Sequence, residues 1–248
     1  MQDRLVTIRP FFVALRFIAL ALFCVGIVKY TLNPTSFIFS PRRIRSLGEK
    51  YAGQPLTESV NGIHRDLKLV YGDHVMDLWS KGLISHFRNQ KFRPSETAFW
   101  LPFCGGGFVG RIHFVHISLS EYVAIIGSPV KTVGNTARLW MNHSCTVLSG
   151  SLERSDGFQK DNFQPGKHVR FAQLDSSIVE LNEETWLFCY GRGFTPMAMP
   201  YMTFCMLGQA DIIPTIDLVT VAAKSVLTEW FVWAKESIAW MMDSVRKK

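Results

Sequence analysis

At 248 residues the chain can bury one good core, and a second full domain is not required. A hydrophobic content of 48% with a mean hydropathy of +0.11 is high for a soluble protein and too low for a polytopic one, so one span plus amphipathic attachment accounts for both. The net charge of +7 comes without the interleaved basic and aromatic cluster that a nucleic-acid groove needs, which argues against nucleic acid as a partner and for surface Lys and Arg beside anionic lipid.

The first element in chain order is apolar. Pro10 to Val28 carries one charge, Arg16, and the run continues through Tyr30 to Phe37. A bilayer core needs about 20 residues of helix. The predicted span is Phe17 to Phe37 or Pro10 to Tyr30, with Arg16 at an interface where it can snorkel. The segment lacks a small-x-small cleavage site, so it reads as an uncleaved anchor. Arg4, Arg9 and Arg16 beside the lone acid Asp3 make a mitochondrial presequence the rival. Arg42, Arg43, Arg45 and Lys50 follow the span, and the positive-inside count slightly favours a C-terminal domain on the cytosolic or matrix side.

Pro41 to about Leu83 is predicted as mostly helix, broken at Gly53-Gln-Pro55, with Ile44, Leu47, Tyr51, Val60, Ile63 and Leu67 at helical spacing. Ser85 to Thr97 reads as a polar, basic loop. The glycines of Gly105-Gly-Gly107 permit tight turns, but no Lys-Ser/Thr follows and no helix opens, which excludes a phosphate loop. Ser118-Leu-Ser-Glu-Tyr-Val-Ala-Ile-Ile-Gly127 alternates, with Tyr122, Ala124 and Ile126 on one face and Glu121, Val123 and Ile125 on the other. Strands are predicted over Arg111 to Ile126, Ala137 to Leu152 and Lys167 to Tyr190, punctuated by turn residues, which points to a closed barrel or sandwich. After Gly193 the chain turns helical, to about Gly208 and again from about Pro214 to Val245. In the second segment Ile216, Val219, Ala223, Val226, Trp230, Trp233 and Trp240 form one apolar stripe, which fits a helix lying in a membrane interface; a core-facing helix or a partner groove is the plainer alternative.

These blocks carry a resemblance. Ser36-Phe-Ile-Phe39, Tyr51-Ala-Gly53, Gly106-Gly-Phe-Val-Gly110, His116, Ser118-Leu-Ser-Glu-Tyr-Val123, Arg138-Leu-Trp140, Ser149-Gly150, Pro165-Gly166, Thr185-Trp186 and Tyr190-Gly-Arg-Gly193 resemble the family of the sigma-1 receptor and the fungal Δ8–Δ7 sterol isomerase. Residues 54 to 100 match poorly and read as carrying an insertion. The resemblance implies an α+β chain: an N-terminal membrane anchor over 1–37, a helical linker region over 38–98, a cupin-like β-barrel over 99–193, and C-terminal helices flat on the membrane over 194–248. It also implies an apolar ligand pocket, a trimer packed through the barrel, and residence in the endoplasmic reticulum.

By match to the family the pocket lining is Phe103, Phe108, Ile112, Phe114, Tyr122, Ala124, Ile126, His143, Cys145, Val179, Leu181 and Cys189. The bulk of Phe114 and Phe171 points to a filled or lipid-occupied barrel. In the family two carboxylates meet inside the barrel, as acid and base in the isomerase, while in the receptor one pairs with a ligand amine and the second hydrogen-bonds to the first. Here both aligned positions are cysteines, Cys145 and Cys189. A buried thiol stays neutral and offers no anion to an amine and no useful acid to an alkene.

The expected state of these cysteines is two inert core thiols. A Cys145–Cys189 disulfide is the next reading, held back by the longer reach of the carboxylates they replace. Zinc on His143, Cys145 and Cys189, or a thiolate beside His143, are remoter ones. Five cysteines without a CxxC spacing indicate neither a zinc ribbon nor a disulfide framework. No metal or other cofactor is expected. Asn142-His-Ser144 has the form of a glycosylation acceptor but falls mid-strand, so it is expected to be unmodified.

The chain therefore reads as a non-catalytic relative. In the first reading it is a structural or accessory subunit of a larger membrane complex, in the endoplasmic reticulum by resemblance or else in the mitochondrial inner membrane. In the second it is a stand-alone endomembrane receptor for a neutral sterol or lipid. Membrane lipids, a bound sterol or lipid, and other subunits or a homotrimer are the expected partners.

Overall fold

The structure is a computed structural model that describes residues 13–23, 25–26, 29, 37–78 and 98–246. Residues 13–23 are helical, and Leu15, Phe17, Ile18, Leu20, Leu22 and Phe23 are exposed. Among the described residues no helix is long and apolar enough to cross a membrane. Both predicted spans, and the loop predicted over Ser85 to Thr97, fall partly or wholly outside the described residues.

Helix α1 (Pro41–Tyr51) begins on a proline, whose fixed φ and missing N–H suit a first turn. Helix α2 (Leu56–Tyr71) follows the break at Gly53, which takes a positive φ, and Pro55. A 3-10 turn (Gly72–His74) ends this arm. Ten strands follow: β1 (Leu101–Gly105), β2 (Phe108–Ile117), β3 (Glu121–Ser128), β4 (Thr132–Asn135), β5 (Met141–Ser149), β6 (Leu152–Asp156), β7 (Gln159–Phe163), β8 (His168–Phe171), β9 (Ile178–Leu181) and β10 (Thr185–Gly193). They pair antiparallel as a six-stranded sheet, β1-β2-β3-β10-β5-β8, and a four-stranded sheet, β4-β9-β6-β7. The three long strand runs predicted from the sequence are thus divided by turns: the first gives β2 and β3 of the same sheet, while the second and third give strands that serve different sheets.

Alternation decides which layer each side chain joins. On β3 and β10 the residues Val123, Ile125, Trp186, Phe188 and Tyr190 pack outward under α1 and α2 with Phe39, Ile44, Val60, Ile63 and Leu67. Leu187 and Cys189 point the other way, to a core shared with Cys145, Leu152, Phe171, Val179 and Leu181 of both sheets. Truncating a side chain as buried as Phe188, 1% exposed, to alanine costs about 3–5 kcal/mol in such cores.

Glu121 ties the segment before α1 to the sheet. Its carboxylate accepts from the Ile38 N–H at 2.6 Å, the Phe39 N–H at 3.4 Å and the Tyr190 hydroxyl at 2.7 Å. Burial pushes its pKa up, while those donors and the nearby Arg192 pull it back.

Helix α3 (Met199–Gly208) and helix α4 (Ile212–Arg246) close the chain. Met202, Met206, Leu218 and Val221 pack on Phe99, Leu101, Ile112 and Phe114, covering the β1–β2 side of the barrel. The Ser225 hydroxyl donates to the Ile117 carbonyl at 2.6 Å, docking α4 at the end of β2. The body-facing side of α4 is Asp217, Leu218, Val221, Ser225 and Glu229, all buried. The apolar stripe seen in the sequence lies elsewhere: Val219, Trp230, Trp233 and Trp240 are exposed, as is Phe231. The core-facing alternative for that stripe therefore does not hold.

Candidate functional site: an uncharged cavity between the sheets

The two sheets enclose a cavity of about 150 Å³. Phe103, Phe108, Ile112, Phe114, Tyr122, Ile126, His143, Cys145, Val179, Leu181 and Cys189 all line it. Ala124, predicted with them, is fully buried among Ile112, Phe114 and Met202 and does not reach the space. Sequence reasoning missed the roof, where Thr195, Ala198, Met199, Tyr201 and Met202 complete the lining from beyond the last strand. The apolar run from Met197 to Leu207 is the signal in the sequence for this roof. Leu139, Met141, Leu152 and Leu187 are further unpredicted wall residues.

No Asp, Glu, Lys or Arg is among the lining residues. His143, mostly buried, is pushed down to about 4 by desolvation, so its ring is neutral at ordinary pH. Burial likewise raises the Tyr122 phenol, which stays protonated. The Thr136 hydroxyl is engaged, donating to the Ser177 carbonyl.

The cysteines correct the sequence reading. Cys145 and Cys189 are not free thiols but a disulfide. They stand directly opposite one another on β5 and β10, with Cα atoms 4.1 Å apart. Longer side chains in relatives do not imply a wider backbone separation, because adjacent antiparallel strands bring opposed Cα atoms to within about 4.5–5.5 Å. A second disulfide, unanticipated, joins Cys104 on β1 to Cys205 on α3 across 101 residues. The expectation of no disulfide framework is thus overturned, and pairing leaves Cys145 and Cys189 unable to serve as zinc ligands or as a thiolate. Among the described residues no group of three His, Cys, Asp or Glu could hold a metal ion. Asn142 lies on β5, where its side chain accepts from the Gln173 N–H.

A mixed α+β chain with two antiparallel sheets around an uncharged cavity, roofed by C-terminal helices, is the class of protein this site defines. The family model described as ERG2 and Sigma1 receptor like protein matches residues 15–233. The chain belongs to that family. Curated relatives include the sigma non-opioid intracellular receptor 1 of Danio rerio, 24% identical over 86% of this chain and 90% of that protein. Another is the protein erg2 homolog of Dictyostelium discoideum, 28% identical over 72% of this chain and 70% of that one. Several solved structures show local similarity to part of the chain. They include the Schizosaccharomyces pombe Cnp3 cupin domain, 10% identical over 36% of this chain and 67% of that one with a TM-score of 0.32. KdgF from Halomonas sp. is 13% identical over 42% of this chain and 93% of that one with a TM-score of 0.33.

Proposed function

We propose that this protein is a non-catalytic, receptor-like member of its family that holds a neutral apolar ligand in the barrel. One observation carries the reading: the cavity has no charged side chain, and a disulfide occupies the two positions where the family resemblance expects carboxylates. Without an anion the site cannot stabilise an ammonium or a carbocation, and without a paired acid and base it cannot shift a sterol double bond. Its size favours a ligand smaller than a sterol, since drug-sized sites span about 300–1,000 Å³.

The exposed apolar residues at 13–23 and along α4 support attachment to a membrane, through the N-terminal anchor and a surface-lying C-terminal helix. Two disulfides support a barrel on the oxidising side of an endomembrane, as in the lumen of the endoplasmic reticulum. The weak charge bias around the anchor points the other way, and the disulfides outweigh it, because charge bias sets a preference whereas thiols stay reduced in the cytosol. A second reading, recruitment as an accessory subunit of a membrane complex, draws support from the same α4 face. Trp230, Phe231 and Trp240 are 64%, 75% and 71% exposed, and aromatic anchors of this kind suit a protein partner as well as lipid.

The test is a titration of the full chain with an uncharged solvatochromic dye bearing a short apolar tail, and with its protonated tertiary-amine analogue. The neutral dye binds in the barrel, and the amine binds about tenfold more weakly or worse, because its charge is buried unpaired. Equal or tighter binding of the amine would overturn the reading.

A further inference from the structure

The cavity is not apolar throughout. Tyr122 on β3 and His143 on β5 both stand opposite Gly191 of β10, one on each side, so the three form a single row across adjacent strands. A side chain at Gly191 would overlap the Tyr122 ring, so glycine is what allows the tyrosine to lie across this row. Four residues beyond Gly191 the chain reaches Thr195, which lines the cavity from the 3-10 turn that leads into α3. Tyr122, His143 and Thr195 therefore gather at the end of the barrel where β10 runs out.

All three carry a polar atom with nothing to bind. His143 Nδ1 and Thr195 Oγ1 are buried with no hydrogen-bond partner. Tyr122 lines the cavity with them, and its hydroxyl makes no hydrogen bond among the described residues. Each such group forfeits the hydrogen bond it would make in water, and buried polar atoms in folded proteins are nearly always satisfied. Polar groups on three residues that line one uncharged cavity can together serve one small polar group of a ligand. The far end, lined by Phe108, Leu152, Val179 and Leu181, offers only hydrocarbon.

We infer that the cavity takes a small neutral amphiphile whose single hydroxyl or carbonyl oxygen is held by Tyr122, His143 and Thr195, with its hydrocarbon body against the opposite wall. This rests on the neutral-ligand reading above and adds the recognition element. The tyrosine hydroxyl donates, the neutral imidazole donates or accepts according to its tautomer, and the threonine hydroxyl does either. A cavity of about 150 Å³ matches single-ring ligands, since cavities near this size admit benzene.

The test uses an isosteric pair, p-cresol and p-xylene, which differ by a hydroxyl in place of a methyl. Each competes with the uncharged dye on the full chain, on Tyr122→Phe and on His143→Phe. The expected result is that p-cresol weakens about fivefold in each variant, as the loss of one hydrogen bond predicts, while p-xylene holds within about twofold and so certifies an intact cavity. Unchanged p-cresol affinity in both variants would leave ordered water as the only partner of these atoms and overturn the inference, with the neutral-ligand reading intact. Failure of both probes on the unmodified chain, with no dye bound, would overturn the neutral-ligand reading and this inference together.

Discussion

At the scale of the residue, His74 shows how a single side chain can hold an element. Its Nδ1 lies 2.9 Å from Glu229 and its Nε2 3.3 Å from Glu236, two turns apart on α4. Two carboxylates accept from both ring nitrogens only when both carry protons, so the contact selects the imidazolium. The Glu229 hydrogen bond is the main cause of a pKa raised above the usual 6.5, with burial opposing it. Lys235 reaches Asp73 at 3.9 Å beside it, and buried His116 lies 4.0 Å from Glu229 on the other side. Because the folded pKa is raised, this contribution is complete below the ordinary histidine pKa and is lost as pH rises through the folded value. Hydrogen-exchange protection across residues 226–240, corrected for intrinsic rates, is expected to fall as pH rises above the ordinary histidine pKa. In His74→Gln, which cannot titrate, that fall should disappear.

At the scale of the element, α3 roofs the cavity and is fixed by a covalent tie. Cys205 on α3 joins Cys104 on β1, and the Tyr201 hydroxyl donates to the Asn135 carbonyl at 2.5 Å. Closing a loop of about 100 residues constrains the unfolded chain strongly, so Cys205→Ser is expected to cost about 2–4 kcal/mol, read as a lower denaturant midpoint. Alkylation of the unreduced protein should modify at most one of its five cysteines. In the sequence the Cys145–Cys189 pair is legible only as a second reading, and the Cys104–Cys205 pair not at all. Alternation assigns Cys145 and Cys189 to an inward face but says nothing of register, and register alone sets them opposite one another. Cys104 and Cys205 meet only through the packing of a helix on a sheet, which leaves no periodic trace. What could be read was local: Ile44, Tyr51, Val60 and Ile63 repeat at helical spacing, and Val123 and Ile125 alternate with Tyr122 and Ala124. The cavity walls followed from that alternation and the family resemblance. Thr195 escaped both, because it lies after the last strand in a turn with no period.

At the scale of the whole molecule, the exposed face of α4 and the helical residues at 13–23 leave much hydrocarbon uncovered. Native extraction in mild detergent, followed by sizing, is expected to yield a homo-oligomer of this chain alone. Co-migration with other proteins at fixed stoichiometry would instead favour the accessory-subunit reading. The two disulfides also impose an order on assembly. They are nested, Cys145–Cys189 within Cys104–Cys205. Of the four paired cysteines a ribosome delivers Cys104 first, and the paired thiols that emerge next are Cys145 and then Cys189, both wrong partners. Its right partner arrives only with α3, after the last strand has been made. Biogenesis of the roof is therefore tied to the end of translation, and any early bond from Cys104 must be undone by thiol exchange before the barrel can close. Supplying a disulfide isomerase is therefore expected to raise the yield of correctly paired chain in a heterologous host, read by non-reducing electrophoresis.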